Sequence, residues 1–157
     1  MTSEFGTESF PVRVERGAAA VGRFDAMPDD EAWWVWALRL WCDGPQAQAL
    51  FAQDVAARLR PGHGSAFIAR FGDLMTLIQR HARRPLARHG AGCPCVGADE
   101  AVFALLCSTA THGEREDAML IACLLLRPDV APLAVSLAQS LGLDLARRAR
   151  TTAETLH

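Results

Sequence analysis

The stretch DDEAWWVWALRLWC, residues 29–42, decides the fold class. Aspartates at its start favour a helix N-terminus, because carboxylates there accept hydrogen bonds from free backbone amides and interact favourably with the helix dipole. A Gly-Pro pair directly after Asp43 stops the helix. All four tryptophans of the chain lie in this stretch, and Arg39 is the only charged residue between Glu31 and Asp43. The predicted helix is therefore apolar on nearly every side, which is typical of a helix at the centre of a fold or in a subunit interface.

The chain after this helix shows apolar residues at helical spacing, interrupted by proline and glycine. Five further helices are predicted, over residues 45–60, 65–84, 98–110, 111–126 and 129–141. Thr111 and Glu114 fit a capping box at the start of the fifth helix, Asp129 caps the sixth, and Gly142 ends it. Six helices with short connections predict an all-α, single-domain bundle, with the first and fifth helices in the middle.

The chain is predicted to divide into three parts. Residues 28–150 are predicted to form the helical domain, and residues 151–157 a frayed tail. Residues 1–27 form an N-terminal segment that is either loose or a short hairpin. In the hairpin, FPVRVERG (residues 10–17) pairs with AVGRFDAMP (residues 20–28).

Composition excludes several classes of protein. The formal net charge of −2 gives no basis for bulk affinity to nucleic acid or membranes. The longest apolar run, residues 118–126, spans about 13 Å as a helix, against about 30 Å for the hydrocarbon core of a bilayer. The N-terminus resembles no signal peptide, so we expect a soluble, cytoplasmic protein.

All 16 basic residues are arginine, which is typical of a GC-rich bacterial genome. In a cytoplasmic chain the five cysteines are expected to be reduced thiols or metal ligands.

Arginine is concentrated in the middle of the chain. Residues 58–90 carry seven arginines and a single acidic residue, whereas the segments on both sides are acidic. The densest run predicts a site for an anion or an acidic partner, made by Arg80, Arg83, Arg84 and Arg88. Internal pairing with the acidic flanks is the alternative, because surface charge seldom has a specific role. The flanks also argue against the broad basic footprint of a nucleic-acid-binding protein.

The stretch RHGAGCPCVGADE, residues 88–100, contains the one candidate site. Cys93 and Cys95 lie on either side of a proline, close to the start of a predicted helix, where the helix dipole favours thiolate over thiol. Zinc needs four ligands in a tetrahedron, and the predicted set is His81, His89, Cys93 and Cys95. Cys107 lies about 12–15 Å into the following helix and is too far away. The other two cysteines, Cys42 and Cys123, are assigned to the core.

The same loop has two other interpretations. Structural zinc sites usually show two residues between paired cysteines, and here there is only one. The thiols can instead act as a redox pair, or as a nucleophile with His89 as its base. They can also be small apolar residues in a turn, because free cysteine is often buried as a small hydrophobe.

Function follows from what the chain lacks as well as from this loop. No constellation of catalytic acids and bases is visible, and the supply of apolar surface is large. These features favour a non-enzymatic, cytoplasmic protein of regulatory or adaptor type that self-associates through residues 29–42, with a structural zinc ion at the cysteine loop. The alternatives are a thiol-based sensor or enzyme using Cys93 and Cys95, and a nucleic-acid-binding regulator using the arginine run 80–88.

Overall fold

The computed structural model describes residues 16–155, with side-chain surroundings described through Arg147. The all-α prediction is confirmed, since the structure is 71% helical and the described residues form six helices and a small two-stranded sheet. The helices are α1 (Asp29–Cys42), α2 (Pro45–Arg58), α3 (Gly64–His81), α4 (Ala98–Thr111), α5 (Arg115–Leu125) and α6 (Ala131–Thr155). Within residues 16–155, no helix combines the length and the apolar character that a bilayer-spanning segment requires.

Helix α1 begins and ends where the sequence predicts. Gly44 adopts a φ of 96°, a conformation that glycine takes at little cost, and Pro45 then opens α2. Trp34 is only 3% exposed, and the other three tryptophans pack against the same core as partly buried residues. The apolar sides of α1 are therefore largely covered by the chain itself.

Helix α4 occupies the centre of the bundle. It packs against α1, α5, α6 and the small sheet. The prediction of a central fifth helix is wrong: α5 buries Ala118, Ala122 and Leu125, while Leu120 and Leu124 are 71% and 65% exposed. The run is apolar on both faces of α5, so its composition does not reveal that the small alanines face inward.

The connection between α4 and α5 differs from the predicted capping box. Thr111 is the last residue of α4, and its hydroxyl donates to the carbonyl oxygen of Cys107 at 2.6 Å instead of capping α5. Helix α6 also continues through Gly142 rather than ending there. Gly142 lies directly against Thr111, whose side chain a Cβ at this position would overlap. Close packing of two helices, not a helix end, is the reason for this glycine.

Helix α3 ends at His81, three residues before the prediction, because the chain then runs extended beside the segment after α5. Ala82 forms an isolated antiparallel bridge with Leu126, and the amide of Arg83 donates to the carbonyl oxygen of Leu125 at 3.0 Å.

A two-stranded antiparallel sheet joins the N-terminal segment to the cysteine loop. Strand β1 (Ala20–Arg23) pairs with β2 (Cys95–Gly97). The hairpin predicted for this segment stays a prediction, because most of its first half is outside the described residues. Its second half pairs with the cysteine loop, residues 16–18 form a 3₁₀ turn, and residues 10–15 lie outside the described part of the chain.

Candidate functional site: the cysteine loop

The cysteine loop, residues 82–97, is held in place by a buried arginine. Arg39 projects from α1 and donates through Nη1 to the carbonyl oxygen of Cys93 at 2.7 Å and through Nη2 to that of Cys95 at 2.6 Å. The same guanidinium pairs with Glu100 of α4, with Nε–Oε1 at 2.7 Å and Nη2–Oε2 at 2.9 Å. Both side chains are fully buried. One guanidinium therefore fixes the backbone of both cysteines relative to α1 and α4.

Glu100 completes this arrangement from the opposite side. Its Oε1 accepts the amide of His89 at 3.0 Å, and its Oε2 accepts the amide of Gly97 at 2.9 Å. Burial by itself raises the pKa of Glu100, but hydrogen bonds from Arg39 and from these two amides outweigh burial and hold it below its usual value. Hydrogen bonding to Glu100 raises the pKa of Arg39 in turn. The pair is thus ionised, and its polar atoms are satisfied within the protein.

Two of the four predicted anion-binding arginines, Arg84 and Arg88, hold the same loop. Arg84 forms two hydrogen bonds of 2.7 Å with Asp99, whose Oδ2 also accepts the amide of Ala87 at 2.8 Å. Arg88 donates to Asp43 at 2.6 Å.

The other two predicted arginines, Arg80 and Arg83, do not hold the loop against α1 or α4. The Nε atom of Arg83 donates to the carbonyl oxygen of Leu126 at 3.2 Å, and Arg80 lies on the exposed side of α3. Internal pairing thus accounts for Arg83, Arg84 and Arg88, and binding of an anion or nucleic acid by the run stays a prediction.

His89 and Cys93 are brought together, as the sequence predicts for this histidine. Cys93 Sγ lies 3.5 Å from His89 Nδ1, and His89 Nε2 lies 2.9 Å from the carbonyl oxygen of Ala18. The ring also lies against Gly97, where a Cβ would approach it within 3.2 Å. A carbonyl oxygen only accepts hydrogen bonds, so this partner assigns the proton to Nε2 and leaves the lone pair of Nδ1 facing the thiol.

The other predicted zinc ligands do not join this pair. His81 lies at the end of α3, where its carbonyl oxygen accepts the amide of Arg127 at 3.3 Å. Across residues 16–155, no three side chains of histidine, cysteine, aspartate or glutamate come together as a metal site. The zinc prediction therefore stays a prediction, with two of its four ligands, His89 and Cys93, in contact.

The amides at the start of α4 have other partners than the thiols. The amide of Gly97 donates to Glu100, and that of Ala98 donates to the carbonyl oxygen of Ala19 at 3.0 Å. These amides therefore do not face the thiols, and the polar group in contact with Cys93 is the imidazole of His89.

The remaining cysteines differ in accessibility. Cys107 is fully buried, as predicted, and burial raises its pKa strongly. The core assignment of Cys42 is wrong, since this last residue of α1 is exposed. Desolvation still raises the pKa of Cys42, and the neighbouring Arg88 opposes the effect only in part. Cys123 is half-buried on α5.

The residues that sequence reasoning missed are Arg39 and Glu100. A lone arginine inside a helix that is apolar on nearly every side is a signal for a buried charge, because such a charge requires a partner. The sequence does not reveal which of 18 acidic residues is that partner. No protein-family model, curated protein or solved structure matches the chain. The functional argument therefore rests on the geometry of the site.

Proposed function

We propose that the chain is a thiol-based regulatory protein of the cytoplasm, in which Cys93 exchanges with disulfides and His89 acts as its base. The contact of 3.5 Å between Cys93 Sγ and His89 Nδ1 carries the proposal, together with the carbonyl group that holds the opposite ring nitrogen. An imidazole in this tautomer accepts the thiol proton and leaves a thiolate, which is the nucleophilic form of cysteine.

The proposed reaction is one thiol–disulfide exchange. His89 Nδ1 takes the proton from Cys93 Sγ, and the thiolate attacks one sulfur of a small-molecule disulfide. A bond forms between Cys93 Sγ and that sulfur while the S–S bond of the reagent breaks. The departing thiolate takes the proton from His89, so that one thiol and one disulfide give a mixed disulfide and a free thiol. The carbonyl group of Ala18 stabilises the imidazolium that exists between the two transfers.

A regulatory role is favoured over catalysis by the position of the thiol. Cys93 lines neither the large cleft beside α1 nor the small cavity at Asp99. Enzymes that act on small substrates usually enclose them in a cavity, whereas a sensor needs only collision with its reagent. The five cysteines are free thiols, which suits the reducing conditions of the cytoplasm.

The test is the rate at which oxidised glutathione modifies each cysteine of the folded protein, followed by peptide mass spectrometry at pH 7. We expect Cys93 to be modified first. General-base assistance contributes on the order of 10²–10⁴ to such rates, so His89→Gln should slow the modification of Cys93 at least about tenfold. His63→Gln, at an exposed position between α2 and α3, is the matched control and should leave the rate unchanged.

Two outcomes contradict the proposal. One is a Cys93 that reacts no faster than the exposed Cys42, and the other is a His89→Gln variant that is folded and reacts at the wild-type rate. Thermal unfolding of each variant separates a lost base from a lost fold.

Zinc remains an alternative use of the same two donors. Elemental analysis of protein purified without a metal-affinity tag distinguishes it, because a structural site holds about one ion per chain. A zinc content under about 0.1 per chain, unchanged by Cys93→Ser, contradicts the zinc alternative.

Self-association through α1 is a separate proposal. It is motivated by the tryptophans of this helix, and sedimentation of the protein at high concentration tests it. A monomer under these conditions contradicts it.

A further inference from the structure

A second candidate site lies at the first turns of α1. A cleft of about 1300 Å³ opens there between the first turns of α1, the end of α2, the end of α4 and the middle of α6. We call it the tryptophan cleft. Its lining includes Glu31, Trp33, Trp36, Asp54, Arg58 and His112.

We propose that the tryptophan cleft binds an arginine-bearing peptide segment of another protein. The binding surface combines indole rings with carboxylates. Trp33 and Trp36 are half-buried, with ring centroids 6.3 Å apart, so both contribute to the wall of the cleft. A guanidinium binds to such a wall by stacking on the ring face, and the apolar part of its side chain covers further indole surface.

The charge of the lining is complementary to this partner. Four carboxylates line the cleft, from Asp29, Asp30, Glu31 and Asp54, against one arginine. The Asp30 carboxylate accepts the hydroxyl of Ser108 at 2.8 Å, whereas the carboxylates of Asp29 and Glu31 accept no hydrogen bond from the part of the chain that the structure describes. Desolvation and the neighbouring Asp30 raise the pKa of Glu31. A cation bound beside Glu31 would stabilise its charged form and so oppose this rise in its pKa.

One arginine of the chain itself makes this contact between a guanidinium, an indole ring and a carboxylate. Arg58 lies over the ring of Trp33 at 5.5 Å from its centroid and donates from Nε to Asp54 Oδ2 at 2.6 Å. Trp33 Nε1 donates to the same carboxylate oxygen at 2.8 Å. A guanidinium of the partner that stacks on Trp36 and pairs with a carboxylate of the cleft would make the same kind of contact.

Size and charge select among the possible occupants. Sites for small molecules usually measure about 300–1,000 Å³, and this cleft is larger and open, which suits a length of polypeptide. The N-terminal residues 1–15 of this chain carry three glutamates and one arginine, so their charge is of the wrong sign. A basic segment of a different protein therefore fits best.

Fluorescence anisotropy of a labelled ten-residue peptide of alternating arginine and leucine tests the proposal on the full-length protein. A peptide with citrulline in place of arginine is the control, because citrulline keeps the shape and removes the charge. We expect the arginine peptide to bind at least about tenfold more tightly, with an affinity that falls as salt rises. Asp29→Asn with Glu31→Gln should weaken binding about tenfold, and Glu116→Gln on α5 should leave it unchanged.

The location is tested separately by fluorine NMR of the protein labelled with fluorotryptophan. The peptide should shift the signals of Trp33 and Trp36 more than that of Trp41, which is absent from the lining. Equal binding of the citrulline peptide, or no effect of the double substitution at Asp29 and Glu31, overturns the proposal. A dimer in sedimentation that this double substitution abolishes also overturns it, because a second copy would then be the occupant.

Discussion

Replacing Glu100 by glutamine should destabilise the protein more than any other single isosteric change in the described residues. Glu100 is fully buried and accepts four hydrogen bonds, two from Arg39 and one each from the amides of His89 and Gly97. Glutamine keeps one oxygen and replaces the other by an amide group, which is itself a donor and would face donors. The substitution also leaves the guanidinium of Arg39 buried without its counter-charge.

The expected loss is about 3–5 kcal/mol, because this is the usual cost of removing one member of a buried ion pair. Native proteins are stable by about 5–15 kcal/mol in total. For a chain of this length, each kcal/mol lowers Tm by about 2–4 °C, so Tm should fall by about 6–20 °C. Urea unfolding followed by tryptophan fluorescence measures the loss directly, since all four tryptophans lie on α1, the helix that carries Arg39.

The matched control is Glu116→Gln, at an exposed position in the first turn of α5, where a charge contributes less than about 1 kcal/mol to the free energy of unfolding.

The pH dependence of this free energy provides a second check. The folded pKa of Glu100 lies below its ordinary value of 4.5, so the unfolded state binds more protons in this range. Its stabilisation is complete above pH 4.5 and is lost as pH falls through the folded pKa, where the difference between wild type and E100Q should shrink. A loss at pH 7 below about 1 kcal/mol would refute the buried ion pair as the anchor of the loop.

Three further predictions concern residues of α4 and their contacts. Asp99→Asn should lower the free energy of unfolding by about 1–3 kcal/mol, because Asp99 is buried and accepts the amide of Ala87. Arg84→Gln should lower it by under about 1 kcal/mol, because Arg84 is half exposed. Urea unfolding compares the two variants. Gly142→Ala should destabilise the protein by about 1–3 kcal/mol, because the added methyl group overlaps Thr111. Thr111→Ala in the same chain should recover part of this loss. If the double variant instead loses the sum of the two single losses, the contact is contradicted. Cys107 should resist alkylation in the folded protein between pH 7 and pH 9, because burial raises its pKa. It should react only in denaturant. Labelling of the native protein at Cys107 would contradict this and show that α4 opens.

The elements that the sequence predicts well are those whose signals are local. Both ends of α1 follow from its aspartates and from the Gly-Pro pair, and the buried stripe of α3 follows from the spacing of Phe67, Phe71 and Leu74. The errors arise where a residue has a tertiary role. Gly142 serves a helix contact rather than a helix end, and Thr111 bonds within α4 rather than capping α5.

The candidate site divides in the same way. The contact between His89 and Cys93 is a local property, because the two residues are four positions apart in one loop. The partner of His89 Nε2 is the carbonyl group of Ala18, 71 residues away along the chain. Arg39 and Glu100 are 61 residues apart. No periodicity or short motif encodes pairings over such distances, so the groups that orient the site become visible only in the fold.

The cysteine loop and the core of the bundle are linked through Arg39. The guanidinium that neutralises Glu100 also holds the carbonyl groups of both loop cysteines. A mixed disulfide on Cys93 adds volume beside one of these carbonyl groups. If the added group loosens that hydrogen bond, it weakens the ion pair between α1 and α4, because both interactions share one guanidinium. Linkage is reciprocal, so a change that weakens the ion pair must favour the modified loop by the same free energy. The pair at the centre of the bundle is thus the element through which a reaction at the surface thiol would reach the rest of the protein.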